Sequence, residues 1–115
     1  MSTSEGRSEI LEVSPAVAPD GTVVLRLVGE LDLSTVTIFV DAIDDALDND
    51  PSSIEIDMTN LTFLDSSGVG AYVGAYRKAR AQGTRLAVGE RSSVVDRVLQ
   101  LSGVEEALAQ ESTDS

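Results

Sequence analysis

Ile54-Glu55-Ile56-Asp57-Met58 runs through Thr59-Asn60-Leu61-Thr62-Phe63-Leu64 into Asp65-Ser66-Ser67-Gly68-Val69-Gly70, and this passage decides the fold. Ile54, Ile56 and Met58 fall on one side of a two-residue period, the mark of a half-buried strand, with Asp57 near its C-terminal end. Beyond the join, Val69, Tyr72, Val73 and Tyr76 recur at the spacing of one helix face. Between them, Asp65, Ser66 and Ser67 are each competent to accept from the exposed N–H groups of the helix's first turn. The plainest reading of the join is therefore a capping loop between a strand and a helix.

Upstream, Ile10–Val13 and Thr22–Val28 are rich in β-branched and apolar residues, and Ser14-Pro15 and Pro19-Asp20-Gly21 carry turn chemistry between them, so an antiparallel pair is expected. Gly29-Glu30-Leu31-Asp32 follows, with Ser34 or Asp32 placed to cap a helix from about Thr35 to Asn49. Val36, Phe39, Val40, Ile43 and Leu47 form its apolar stripe; Asp41, Asp44, Asp45 and Asp48 lie off it as an acidic face. Pro51 disfavours helical dihedrals in Asp50 and ends that helix.

Downstream, Arg77, Lys78 and Arg80 sit near the C-terminus of the central helix, where the macrodipole favours cations, and Gln82-Gly83 closes it. Thr84–Val88 reads as a fourth strand. Ser92 or Ser93 starts a last helix bearing Val94, Val95, Val98 and Leu99, with Ser93 and Asp96 spaced like a capping box, and Gly103 suits its left-handed end. The expected order is β-β-α-β-α-β-α, an α/β domain with one mixed β-sheet covered by α-helices. It spans residues 8–108, with polar tails at 1–7 and 109–115. Sites in such sheets form where strand C-termini meet helix N-termini, so the Asp65–Gly70 loop is the place to look, with Asp32 and Asp57 drawn toward it.

The 115 residues suit one domain, and with aromatics at 3% its core must be built from Val, Leu, Ile and Ala. The net charge of −12 is carried by residues 1–65, which hold 14 acidic and 2 basic side chains against 6 of each in residues 66–115. Such a field opposes nucleic acid and anionic membrane as partners and favours a basic protein surface. There is no apolar N-terminal stretch and no run long enough for a membrane span, so a cytoplasmic location is expected.

Several chemistries lack parts. Cysteine is absent, so no disulfide, thiolate or Cys-type zinc chemistry arises. Histidine is absent too, so a nucleophilic Ser66 has no ordinary base, and Lys78 lies on the far turns of the same helix. Asp32, Asp57 and Asp65 are hard ligands suited to Mg²⁺, but no phosphate-binding P-loop accompanies them, and no cofactor or metal is expected. Gly68-Val69-Gly70 lacks the rest of a dinucleotide fingerprint; with Gly74 it reads instead as room for close backbone approach. A phosphate on Ser66 has a clearer logic. It would add about −1.5 to −2 charges beside Asp65, enough to veto a binding surface, while the helix N-terminus accommodates the anion.

Val28-Gly29-Glu30-Leu31-Asp32, Ile56-Asp57-Met58, Leu61 to Gly70 and Leu101-Ser102-Gly103-Val104 together resemble the anti-sigma factor antagonists of the STAS domain family. The resemblance implies a non-enzymatic partner-switching module. Unphosphorylated, such a protein binds an anti-sigma factor that is also a serine kinase and frees a sigma factor; phosphorylated, it lets go, and a PP2C-type phosphatase resets it. It further implies Ser66 as the acceptor, flanked by Asp65 and Asp32, with Ser67, Gly68 and Gly70 beginning the helix that lines the contact. The same fold also serves scaffolds and transporter-associated modules, in which the loop would remain unmodified.

Overall fold

Alternation along four strands builds one sheet. The computed structural model describes residues 10–114. Strand β1 (Leu11–Val17) pairs antiparallel with β2 (Val23–Leu31); β2 pairs parallel with β3 (Ser53–Leu64), and β3 with β4 (Arg85–Arg91), in the order β1-β2-β3-β4. The helices are α1 (Val36–Leu47), α2 (Ser66–Ala81), α3 (Ser93–Ser102) and α4 (Val104–Asp114). Leu25, Ile56 and Val88 share one register row and are buried, whereas Arg26 and Ala87, one residue along, are exposed. The sheet thus has a packed face and an open one, as the strict alternation of Ile54, Ile56 and Met58 demands.

Three boundaries differ from the sequence expectation. Ser14-Pro15 lies inside β1, not in a turn; β1 is an edge strand, where a residue without an N–H is tolerated. The turn falls at Ala18–Thr22, closed by Gly21 donating to the Ala18 carbonyl at 2.9 Å. Strand β3 does not stop at Met58. Its pairing with β2 slips between Arg26 and Val28 and again between Gly29 and Glu30, and each slip absorbs an extra residue in β3. These two bulges turn a period of two into steps of three, so Met58, Leu61 and Leu64 all reach the core. Finally, the segment from Val104 forms α4 where a polar tail was expected from 109. Val104 and Leu108, four apart, are its buried residues. Glu105 receives two bonds from Arg91, at 2.6 and 3.0 Å, and Glu111 two from Arg77, at 2.6 and 3.2 Å. The expected N-terminal tail lies outside the described residues.

Helix α2 packs through small residues. Gly68, Tyr72, Ala75 and Ala79 are buried, while Val69, Val73 and Tyr76 are only partly so, which rotates the stripe away from the one that apolar bulk suggested. Burial pushes the Tyr72 phenol up to about 12, and the Glu105 charge adds to the rise. The unfolded phenol titrates near 10, so the unfolded chain gives up this proton first; the contribution to stability is complete below about 10 and falls as pH rises toward 12. With two tyrosines and no tryptophan, ultraviolet titration should resolve a late component near pH 12 that Tyr72→Phe removes.

Candidate functional site

Strands β2 and β3 end side by side, with Leu31 opposite Leu64 and the Asp65 N–H directed at the Leu31 carbonyl at 3.4 Å. Asp32 and Asp65 therefore leave the same edge of the sheet together. Asp65 is the N-cap of α2: its backbone is extended and its Oδ1 accepts from the Gly68 N–H at 3.0 Å. Of the three capping candidates the carboxylate takes the role, which leaves the serines free of it. Ser66 is the first helical residue and exposed, Ser67 is half-buried, and among the described residues neither hydroxyl has a hydrogen-bond partner.

Gly68 is a packing requirement. A β-carbon there would lie 2.5 Å from Leu64 Cδ1 and 2.9 Å from both Leu31 Cγ and the Leu31 carbonyl oxygen. Only glycine lets the first turn of α2 rest on the ends of β2 and β3. Gly70 and Gly74 are different. They are exposed and a β-carbon at either would meet nothing within 4 Å among the described residues, so close approach there does not account for them.

Asp32 does not cap α1, and neither does Ser34. Its Oδ1 accepts from the Ser34 hydroxyl at 2.7 Å and the Ser34 N–H at 2.9 Å, a closed local turn. These bonds, the hydroxyl's above all, hold its carboxyl below the usual carboxylate range. The N-cap position of α1 is Thr35, whose buried hydroxyl instead donates to the Glu30 carbonyl at 2.8 Å. Asp57 is not drawn to the loop at all. The lengthened β3 puts it mid-strand on the open face, where it meets Arg26 at 3.3 Å and accepts from the Thr59 N–H at 2.9 Å. The three aspartates considered for Mg²⁺ consequently do not converge. Ser92, not Ser93, caps α3, accepting from Val95 N–H at 3.2 Å.

One face of the loop opens on a groove of about 400 Å³ lined by Leu64, Asp65, Ser66, Val69, Val98, Leu101 and Ser102. The loop thus sets an acidic, serine-bearing helix start beside an apolar trough. The STAS domain model matches residues 14–113.

The chain belongs to the STAS domain family.

Over 85 residues, 73% of this chain and 73% of the relative, it is 34% identical to the anti-sigma F factor antagonist of Paenibacillus polymyxa. The fold also matches the anti-sigma factor antagonist SpoIIAA in its unphosphorylated form, with a TM-score of 0.66 at 30% identity, covering 89% of this chain and 97% of that one. The phosphorylated form of the Bacillus cell fate determinant SpoIIAA gives a TM-score of 0.62 at 30% identity, covering 86% of this chain and 98% of that one. In this STAS domain the sequence reading did not anticipate the exposure of Leu101, at 78%, or of Leu33, at 75% one residue past Asp32. A signal for Leu101 was present. Val94, Val98 and Leu101 repeat at i, i+4, i+7 as a second apolar stripe on α3, beside the Val95 and Leu99 stripe that the core already uses.

Among the described residues no helix is long and apolar enough to cross a membrane.

Proposed function

We propose that this STAS domain is an anti-sigma factor antagonist that works in the bacterial cytoplasm by partner switching. Unphosphorylated, it binds an anti-sigma factor serine kinase and so releases a sigma factor; phosphate on Ser66 ends the contact, and a PP2C-type phosphatase restores it. The domain acts by binding and carries out no catalysis of its own. The observation that carries this reading is the exposed Ser66 hydroxyl on the first residue of α2, unpartnered among the described residues, with Asp65 doing the capping beside it. A hydroxyl engaged in the cap would have to surrender that bond on modification. Here it does not, and the helix N-terminus offers N–H groups and a favourable dipole to the anion. The kinship with proteins named as anti-sigma factor antagonists, one of them solved in phosphorylated and unphosphorylated forms, supports the same reading.

Asp32, Asp65, Ser66, Ser67, Gly68 and Gly70 are the proposed contact residues, with Leu101 and Leu33 as apolar neighbours. The acidic side chains offer complementarity to a basic kinase surface, and the bare Gly70 leaves the helix open to close approach. Incubation with the host's anti-sigma kinase and ATP, followed by peptide mapping, tests the assignment. Phosphate is expected on Ser66 alone, and none on the Ser66→Ala protein, which should still bind the kinase. Phosphate on Ser67 or elsewhere would sink it. A stable assembly unaffected by any change at Ser66 would favour the scaffold reading instead.

A further inference from the structure

Another groove of the domain lies on a different side, between α2, β4 and α4, and its chemistry is unlike that of the loop. It encloses about 510 Å³, within the range of small-molecule sites, and is lined by Tyr72, Tyr76, Arg80, Arg85, Leu86 and Leu108 among others. Its floor holds an anomaly. Tyr72 is only 3% exposed, yet among the described residues its hydroxyl has no hydrogen-bond partner. Buried hydroxyls are almost always satisfied, and one that borders a cavity without a partner points to something that belongs in the cavity.

The groove has two ends of different character. Tyr72, Tyr76 and Arg80 follow one another along a single face of α2, so the Tyr72 and Arg80 backbones stand about 12 Å apart at 1.5 Å per residue. Arg85 begins β4 just past the C-terminal end of α2, where the Thr84 N–H donates to the Ala79 carbonyl at 2.9 Å, so it shares the Arg80 end. Arg80 shares Glu111 with Arg77, whereas the Arg85 side chain has no ion pair or hydrogen bond among the described residues. In a chain of net charge −12, this end is locally cationic. At the Tyr72 end, Glu105 is already engaged by Arg91, and its charge disfavours a second anion there. Between the ends lie Leu86, Leu108 and the Tyr76 ring.

We propose that this groove binds an elongated organic anion. Its negative group meets Arg80 and Arg85, its apolar body lies along Tyr76, Leu86 and Leu108, and a neutral acceptor at its far end takes the hydrogen bond of the Tyr72 hydroxyl. The site is separate from the Ser66 surface and adds a ligand to a protein otherwise read as binding only other proteins.

The probe is ω-hydroxydecanoate, whose extended chain matches the span, compared with decanoate, which lacks the far acceptor, and decanediol, which lacks the anion. Amide chemical shifts of the intact chain, titrated below the micelle concentration, should move saturably along Tyr72–Arg80 and β4. Wild type should prefer ω-hydroxydecanoate to decanoate by about five- to tenfold, the worth of one hydrogen bond. Tyr72→Phe should fold at least as stably, since it removes an unsatisfied group, and should bind both carboxylates alike. Arg85→Gln should weaken both by about three- to tenfold, an effect that added salt diminishes, and leave decanediol unchanged. No saturable shift, equal binding of the two carboxylates by wild type, or discrimination that survives Tyr72→Phe would each overturn the proposal.

Discussion

Replacing Ser66 by glutamate should weaken binding to the anti-sigma kinase by about 100-fold or more and leave the fold as stable as before. The two effects separate because the residue has no structural duty. Its hydroxyl is exposed and, among the described residues, unpartnered, and Asp65 holds the cap through the Gly68 N–H. A carboxylate in the first turn of α2 is even mildly favoured by the helix dipole, by about 0.3–1 kcal/mol. In the complex the same charge would be buried against a surface already complementary to Asp32 and Asp65, without a partner of its own. An uncompensated buried charge costs about 3–5 kcal/mol, hence the two or more decades in affinity. Phosphate, with nearly twice the charge, should exceed glutamate. Calorimetric titration of wild type, Ser66→Ala and Ser66→Glu, with urea midpoints for each, provides the check; equal affinity of Ser66→Glu and wild type would remove the electrostatic basis of the switch.

Gly29→Ala should destabilise the domain by about 2–6 kcal/mol. Gly29 sits at φ +120°, outside the range of L side chains, and a β-carbon there would lie 2.3 Å from the Ile10 carbonyl oxygen. Backbone strain and overpacking of a rigid backbone atom each contribute about 1–3 kcal/mol. The position lies in β2 opposite Leu11 and beside Leu61, at the second bulge, so the change strikes the strands that carry Asp32 and Asp65. Gly70→Ala and Gly74→Ala, in open helical positions, should move the urea midpoint the other way, by about 0.5–1 kcal/mol each. If Gly29→Ala proved as harmless as they are, the close approach to Ile10 would not be holding the hairpin.

Much of this architecture is legible in the chain because the signals are local. Ile54, Ile56 and Met58 announce a strand facing one core, Gly103 a left-handed helix end (φ 66°), and Asp65 a cap. What escaped the sequence depends on partners far away in it. The bulges of β3 exist only through pairing with β2, so from sequence Met58 reads as the strand's end and Asp57 as a residue near that end, drawn toward the loop. Helix α2 buries Gly68, Ala75 and Ala79 in preference to larger neighbours, because how closely it sits on the sheet is set by Leu31 and Leu64. Among the described residues helix α4 offers Val104 and Leu108 to the core, and Arg77 and Arg91 hold its acidic side chains. At the loop, the serines and aspartates were visible; that Asp65 caps while Ser66 stays idle needed the geometry.

The bulges of β3 also determine where a chain of this kind can change length. Between Ala18 and Thr22 a residue more or less alters only a surface turn. Between Met58 and Leu64 it cannot, since each bulge is already one residue of slack spent in bringing Leu61 and Leu64 inward. Removing Thr62 would carry Leu64 to the opposite side of the sheet and turn Asp65 away from Gly68 with it. The distance from the core of the strand to the acidic helix start is thus counted in whole residues, and insertions or deletions should be absent from it while they accumulate in the hairpin turn.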